Sequence, residues 1–322
     1  MRVLLTGGAG FIGSHVAERL VDRGDEIVIV DSFVPFYDPA IKRRNVERVL
    51  ASGKASLIEA DICDLDRLDS AIGDTQIDAI VHLAARAGVR PSLEQPLLYV
   101  RTNVEGTQSL LELARKKAIR PFVFGSSSSV YGDATPVPFS EDAAATQPIS
   151  PYAATKRAGE LACHAHAHLY GLSVICLRLF TVYGPRQRPD LAIHKFARLM
   201  SRGEEIPFFG DGSTERDYTY VDDIVAGIEA ALDWSVTAPS GAFETVNLGE
   251  SVTTPLSRLV EMIAAELDIT PRLKRMPAQP GDVQRTFANV QRARDLLGYD
   301  PHTTMDEGIR RFVEWFGMQP SD

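Results

Sequence analysis

Cysteine is scarce in this chain: Cys63, Cys163 and Cys176 are its only thiols in 322 residues, an odd number with no C-x-x-C pair. That count excludes a disulfide framework and predicts reduced thiols and cytoplasmic residence. Long apolar runs are missing too. The first run, Met1–Thr6, is too short for the apolar region of a signal peptide. No stretch approaches the about 20 apolar residues of a membrane span, so no membrane partner is expected. Basic charge is in deficit, with 34 Lys and Arg against 43 Asp and Glu and a formal net charge of −9. Nucleic-acid binding draws its affinity from cationic side chains on phosphates, so nucleic acid is excluded as a partner and any bound phosphate must meet a local site. No HExxH or equivalent occurs. His164, His166 and His168 alternate along one stretch, but without a third ligand and an open position they predict a solvated helix face and no metal.

What is present is an alternation. Hydrophobic residues make up 44% and charged residues 24%, the balance of a globular protein rather than a disordered or fibrous one. Short apolar runs (3–6, 26–30, 79–83, 121–125, 173–179) alternate with longer amphipathic ones (11–23, 103–117), the rhythm of βαβ units and a parallel sheet covered on both faces. Ser150 followed by Pro151 reads as the cap and first residue of a further helix. After Leu179 the character changes, with Pro185, Pro189, Pro207, Gly210 and Gly212 breaking a segment that holds one helix over 191–202. The fold class read here is α/β, a doubly wound parallel sheet of Rossmann type with a smaller C-terminal substrate domain. Residues 1–180 plus about 217–249 are assigned to the first domain, and about 181–216 plus 250–322 to the second. Trp234 and Trp315 are read as packing residues, and the charged tract Lys42–Arg48 as an exposed helix.

Between the first strand and first helix lies Thr6-Gly7-Gly8-Ala9-Gly10-Phe11-Ile12-Gly13. It fits G-x-x-G-x-x-G from Gly7 and G-x-G-x-x-G from Gly8. Such a loop turns backbone N–H groups and a helix N-terminus toward a pyrophosphate; a glycine-rich turn that merely packs a helix closely is the other reading. Asp31 ends the second strand about 20 residues on, where a carboxylate accepts ribose hydroxyls and repels a 2′-phosphate. The combination favours NAD over NADP. Asp61-Ile62 either flanks adenine or supplies an ordinary helix-capping carboxylate.

Tyr152 and Lys156 stand at i and i+4 on one helix face, so the ammonium is expected to bring the phenol's pKa down toward working pH. By spacing alone a core tyrosine beside a surface lysine is the better reading. Upstream, the run Ser126-Ser127-Ser128-Ser129 follows an apolar strand and places hydroxyls at the carboxyl end of the sheet, where α/β proteins bind ligands.

The glycine loop, Asp31, His82-Leu83-Ala84-Ala85, Asn103, the serine run with Val130-Tyr131-Gly132, and the Tyr152/Lys156 pair together resemble the extended short-chain dehydrogenase/reductases, over nearly the whole chain. The resemblance implies that Ser127 orients the substrate hydroxyl, Tyr152 is the acid/base, and Lys156 binds the nicotinamide ribose. It also places Gly7, Gly10, Phe11, Ile12, Gly13, Asp31, Asp61, Ile62, Leu83, Ala84, Ala85 and Asn103 along NAD. Dehydratases and decarboxylases of that family carry an acidic residue just after the catalytic hydroxyl; here Ser128 and Ser129 stand there, which points to epimerisation. Phe180-Thr181-Val182-Tyr183-Gly184-Pro185, Arg188-Pro189-Asp190-Leu191-Ala192-Ile193, Asp31–Asn45 and Gln279-Pro280-Gly281-Asp282-Val283 resemble the UDP-glucuronate 4-epimerases. That likeness implies a UDP-sugar substrate contacted by Arg90, Ser127, Ser128, Ser129, Tyr152, Thr181, Arg188, Ala192 and Ile193, with Phe208, Arg216 and Arg285 at the UDP end. It also implies a homodimer. The expectation is reversible C4 epimerisation of UDP-glucuronate and UDP-galacturonate. A neutral-hexose UDP-sugar 4-epimerase and a catalytically silent NAD-sensing protein are the competing readings, since fold alone does not establish activity.

Overall fold

The computed structural model describes residues 1–277 and 284–319. The motif Gln279–Val283 lies outside the described residues. Twelve strands occur among those described: β1 Arg2–Thr6, β2 Glu26–Asp31, β3 Ala55–Glu59, β4 Ala79–His82, β5 Pro121–Ser127, β6 Ser173–Leu179, β7 Thr181–Tyr183, β8 Glu205–Phe209, β9 Glu215–Tyr220, β10 Phe243–Leu248, β11 Thr253–Pro255 and β12 Arg272–Met276. Seven form one sheet in the order β10-β6-β5-β4-β1-β2-β3, every neighbouring pair parallel. The continuous apolar runs of β1, β4 and β6 are what such a sheet demands, because both of its faces are covered.

The two faces carry separate cores. One gathers Phe11, Val16 and Leu20 of helix Phe11–Arg23, Val46 and Val49 of helix Pro39–Ala51, and Ile224 and Ile228 of helix Val221–Thr237. It continues without a break into Ile193, Phe196, Leu259, Ile263 and Phe312 of the later helices. The other gathers Leu68, Leu110, Leu111, Cys163 and Ala167. Beside the main sheet lie a three-stranded sheet, β11-β9-β7, and a two-stranded one, β12-β8. Trp234 and Trp315 pack against the first core as read from the sequence.

The strand order reverses between β1 and β4, which opens a crevice at their carboxyl ends, the position where sheets of this kind bind ligands. Helix Pro151–Tyr170 starts where the cap predicts, with the Ser150 hydroxyl accepting the Ala153 amide at 3.1 Å. The helix expected over 103–117 begins differently: Val100–Glu105 is a π-turn ahead of the α-helix Gly106–Lys116. Edge strand β3 and helix Leu65–Ile72 were not anticipated; β3 is half-exposed and lacks the apolar run of its neighbours. The tract 42–48 is not simply exposed. Lys42, Asn45, Val46 and Val49 form the buried face of helix Pro39–Ala51.

Candidate active site

The carboxyl ends of the sheet open on one cleft, which runs from Asp31, Asp61 and Ile62 past Gly7, Gly10, Phe11, Ile12 and Gly13 to Ser127, Tyr152, Lys156, Thr181 and Arg188. Its first half is made of backbone. Gly7 sits at φ 71°, and a Cβ there would meet the Ala84 nitrogen at 2.7 Å. A Cβ on Gly13 would lie 2.2 Å from the Gly7 carbonyl oxygen, so only hydrogen lets the helix close on the loop. Gly10 precedes helix Phe11–Arg23 and offers no side-chain cap, which leaves the first helical amides directed into the cleft. The seven-residue pattern from Gly7 is therefore the one that faces a ligand, and Gly8 instead packs on Ile29.

Asp31 is buried at the end of β2, where its carboxylate accepts the Phe33 amide at 2.9 Å and the Ala9 amide at 3.3 Å and pairs with Lys42 Nζ at 3.3 Å. Asn45 from the same helix as Lys42 donates to the Ala9 carbonyl at 3.2 Å, which braces the glycine loop from behind. Asp61 lines the cleft and accepts the Cys63 amide at 3.0 Å, whereas the cap of helix Leu65–Ile72 is Asp64. The residues present thus fit a dinucleotide: open amides for a pyrophosphate, a carboxylate for ribose hydroxyls, and a side-chain-free cradle that any Cβ would fill.

Leu83, Ala84 and Ala85 line the cleft after β4. Behind them runs a relay whose direction the geometry fixes. Thr107 Oγ1 donates to the Asn103 carbonyl at 2.6 Å, so it accepts from His82 Nε2 at 3.0 Å. His82 Nδ1 then accepts from Thr6 Oγ1 at 2.8 Å. Such a ring must stay neutral, and burial holds its pKa down at about 3. Asn103 is not on the cleft wall. Its amide holds the backbone of Arg86 from both sides, at 2.8 and 3.0 Å, and reaches Thr155 at 3.0 Å, so it positions the wall.

The reaction centre sits between β5 and helix Pro151–Tyr170. Tyr152, Lys156 and Glu160 follow one helix face; Glu160 is buried, accepts the Ser126 hydroxyl at 2.6 Å and pairs with Arg178 of β6 at 2.9 and 3.0 Å. That network fastens the helix to two strands. The Ser127 hydroxyl lies 3.2 Å from Ser129 Oγ and within hydrogen-bonding reach of the Tyr152 phenol, to which its single proton can turn. The expected lowering of the phenol by Lys156 is not what the geometry gives. Burial pushes Tyr152 above its ordinary range, and the Ser127 hydrogen bond and the Arg188 charge pull it part of the way back. The Lys156 ammonium is turned the other way, donating to the Gly125 carbonyl at 2.6 Å over the Phe124 ring, and burial brings it down to about 8.

The sugar half is made of side chains. Arg188 reaches the cleft stacked 4.9 Å from the Phe36 ring centre and forks onto Asp190 at 3.0 and 2.7 Å. Burial opposes its charge, but the Asp190 hydrogen bond more than restores it. Thr181 lines the cleft; Ser128 and Ser129 stand next to it rather than on its wall. Leu191 contributes to the wall where Ala192 and Ile193 were expected, because Ile193 turns into the core and Ala192 packs against it. The residues assigned to a UDP end lie off the central cleft. Phe208 is buried under Arg275, Arg90 stacks on Phe209, and Arg216 and Arg285 gather around Glu215, which Arg285 meets at 2.8 Å. Sequence reasoning missed Phe36, Tyr37, Arg86 and Thr102 on the wall. The aromatic pair Phe36-Tyr37 in the polar turn after Asp31 was the available signal. His166, read as solvated, is buried against Glu112 at 3.1 Å and the Ala162 carbonyl. Among the described residues no group of three His, Cys, Asp or Glu is placed to hold a metal.

Residues 3–249 match the NAD dependent epimerase/dehydratase family. The chain belongs to that family. Within it, UDP-glucuronate 4-epimerase 4 of Arabidopsis thaliana is 41% identical over 328 residues, covering 98% of this chain and 75% of the relative. An uncharacterised protein of Methanocaldococcus jannaschii is 42% identical over 316 residues, covering 98% and 95%. Among solved structures, the UDP-glucuronic acid 4-epimerase of Bacillus cereus in complex with UDP-glucuronic acid and NAD superposes with a TM-score of 0.90 at 33% identity, over 98% of this chain and 99% of that one. The extended dehydrogenase/reductase architecture expected from the motifs is the one this epimerase family has.

Proposed function

We propose that this chain interconverts UDP-glucuronate and UDP-galacturonate by epimerisation at C4, retaining NAD throughout. The observation that carries the reading is one cleft in which Ser127, Tyr152 and Lys156 stand with a buried guanidinium, Arg188, close enough to bear on the Tyr152 phenol. When bound, NAD would supply reversible hydride transfer at C4 with no net redox change over a turnover. The chain's own residues do the rest. The glycine-loop amides hold a pyrophosphate, and Asp31 accepts ribose hydroxyls and disfavours a 2′-phosphate. The Ser127 hydroxyl orients the sugar's 4-hydroxyl, Tyr152 removes its proton and later restores it with Ser127 and Arg188 favouring the phenolate, and the Lys156 ammonium binds the nicotinamide ribose.

A C4 ketone beside a C6 carboxylate is a β-keto acid, which loses CO2 when the C5–C6 bond aligns with the carbonyl π system. Thr181 supplies a neutral hydroxyl on the wall that holds the carboxylate out of that alignment, with Ser128 and Ser129 next to the wall as further donors once the sugar is seated and Arg188 matching its charge. Phe208, Arg216 and Arg285 take the UDP end, Arg90 beside them.

We assign residues 1–180 plus about 217–249 to cofactor binding and about 181–216 plus 250–322 to the sugar nucleotide. The chain works as a cytoplasmic homodimer in this reading. Leu93, Leu97, Val100 and Leu161 are 53, 83, 48 and 55% exposed on neighbouring helices, an apolar face suited to a second copy. One observation favours a neutral hexose instead: Arg188 already has a carboxylate partner in Asp190. Incubating the protein with UDP-glucuronate and with UDP-glucose, and resolving products by chromatography with CO2 monitored, separates the readings. Epimer from the uronate without CO2 supports the proposal, preferred turnover of UDP-glucose favours the hexose, and stoichiometric pentose means decarboxylation.

A further inference from the structure

Among the described residues Arg188 is the one guanidinium of the cleft wall that stacks on a ring of the loop after Asp31, and its fork is closed by a residue two positions away. Both Asp190 oxygens take part, one on Nε and one on Nη2. The two partners are unequally placed. Arg188 keeps 14% of its side-chain exposure, whereas Asp190 keeps 43% and is not part of the cleft lining. Phe36 lies against one flat face of the guanidinium, and its N–H donors point outward from the edges. A planar fork of this kind accepts one carboxylate per edge with full geometry. Asp190 can leave it at small cost, because its carboxylate already borders water and rehydrates on release.

We propose that Asp190 is a specificity-determining residue, a resident carboxylate that holds the Arg188 fork in the free enzyme and gives it up to the C6 carboxylate of the sugar. The inference rests on the uronate reading above. Before binding, Asp190 keeps a desolvated cation paired and aligned over Phe36, avoiding the penalty of a lone buried charge. A uronate exchanges one carboxylate for another on the same two donors. A neutral hexose brings no anion at C6, leaves the Arg188–Asp190 pair closed, and gains nothing from the fork. The cost of displacing Asp190 falls on the uronate alone, so Asp190 sets how strongly the enzyme separates the two sugars.

The test is steady-state kinetics of wild type and Asp190→Asn on UDP-glucuronate, with UDP-glucose as competing inhibitor. Asn keeps shape and loses the charge. The expected result is a KM for UDP-glucuronate lower by about three- to tenfold, the scale of a partly exposed charge-assisted pair, with the change in KM rather than kcat. The inhibition constant for UDP-glucose should move far less, so the ratio of the two is the readout. Equal tightening of both sugars would mean a general charge effect on the anionic UDP, and would overturn the proposal. So would a raised KM for the uronate, which would mean that Asp190 clamps one edge while the substrate takes the other. The Arg188→Ala/Asp190→Asn double variant should show no further gain over Arg188→Ala if exchange is correct; an undiminished gain removes Arg188 from the account. Failure of the parent reading looks different: wild type would then prefer UDP-glucose, and Arg188→Ala alone would leave the sugar preference unchanged.

Discussion

The two halves of the cleft are built from opposite materials. Between Gly7 and Gly13 the wall is backbone, made by omitting side chains; Gly7 and Gly13 each have a backbone atom within 2.7 Å of where a Cβ would stand. Around Thr181 and Arg188 the wall is side chain, placed at the start of β7 and on the loop that follows it, with Arg188 held by Phe36 and Asp190. The first half should therefore be ruined by adding an atom group and the second by removing one. Four expectations test that contrast.

Where the halves meet, Tyr152→Phe removes a single oxygen. Turnover should fall by about 10² or more, the scale of positioned acid/base catalysis, while fold and NAD affinity persist; near-normal turnover would remove Tyr152 from its role. On the sugar side, Arg188→Ala should lower kcat/KM for UDP-glucuronate by about ten- to a hundredfold relative to UDP-glucose, since a charge-assisted contact in a closed site is worth on the order of 1.5–3 kcal/mol. Equal losses on both sugars would make Arg188 a structural residue.

On the backbone side, Gly13→Ala should weaken NAD binding and cost about 1–3 kcal/mol by overpacking, read from denaturant midpoints. Gly317→Ala, at a helix end with nothing within 4 Å of a new Cβ, is the control and should be close to neutral. If both behave alike, the cradle is not as tight as its distances imply. The smallest effect lies outside the cleft. Burial, with Asp223 and Asp217 nearby, raises Glu250 from an ordinary 4.5 to about 7, and its Oε2 is buried without a hydrogen bond. A carboxylate raised in the fold favours the protonated form, so its presence lowers stability progressively as pH climbs from about 4.5 through about 7. Glu250→Gln should then raise Tm at pH 8 and lose that advantage below pH 4.5. An advantage that is the same at both pH values would assign the effect to packing instead.

The backbone half was the more legible in the sequence for the same reason that it is fragile. Gly7, Gly10, Gly13 and Asp31 all lie within the first β-α-β unit, and each has a job only a few residue types can do. Ser127, Tyr152 and Lys156 were legible because a strand end and one helix turn bring them together. The second half was read less well. Arg86 and Thr102 reach the wall from loops after β4 and from a π-turn, Ala192 and Ile193 gave way to Leu191, and Asn103 turned out to hold Arg86 rather than the cleft. No period or spacing announces such contacts, because the chain brings them in from unrelated segments. The Glu160–Arg178 pair that fastens the catalytic helix was missed for a like reason: 18 residues separate its members, and each alone reads as a surface charge.

The loop that carries Arg188 is tied to the helix that starts at the glycine loop. His15 Nε2 meets the Pro185 carbonyl at 2.9 Å, and Arg186, held at φ 63°, donates from Nη2 to both Glu18 oxygens at 2.8 and 2.9 Å and from Nη1 to Ser14 at 3.3 Å. Ser14, His15 and Glu18 all belong to helix Phe11–Arg23, whose first amides face the cleft. Dinucleotide and sugar thus press on two ends of one part. Any effect that a bound sugar has on dinucleotide affinity through this tie is matched, by thermodynamic reciprocity, by an equal effect of the dinucleotide on the sugar. The strap joins the two unlike halves of the cleft into one piece, with the backbone cradle at one end and the Arg188 loop at the other.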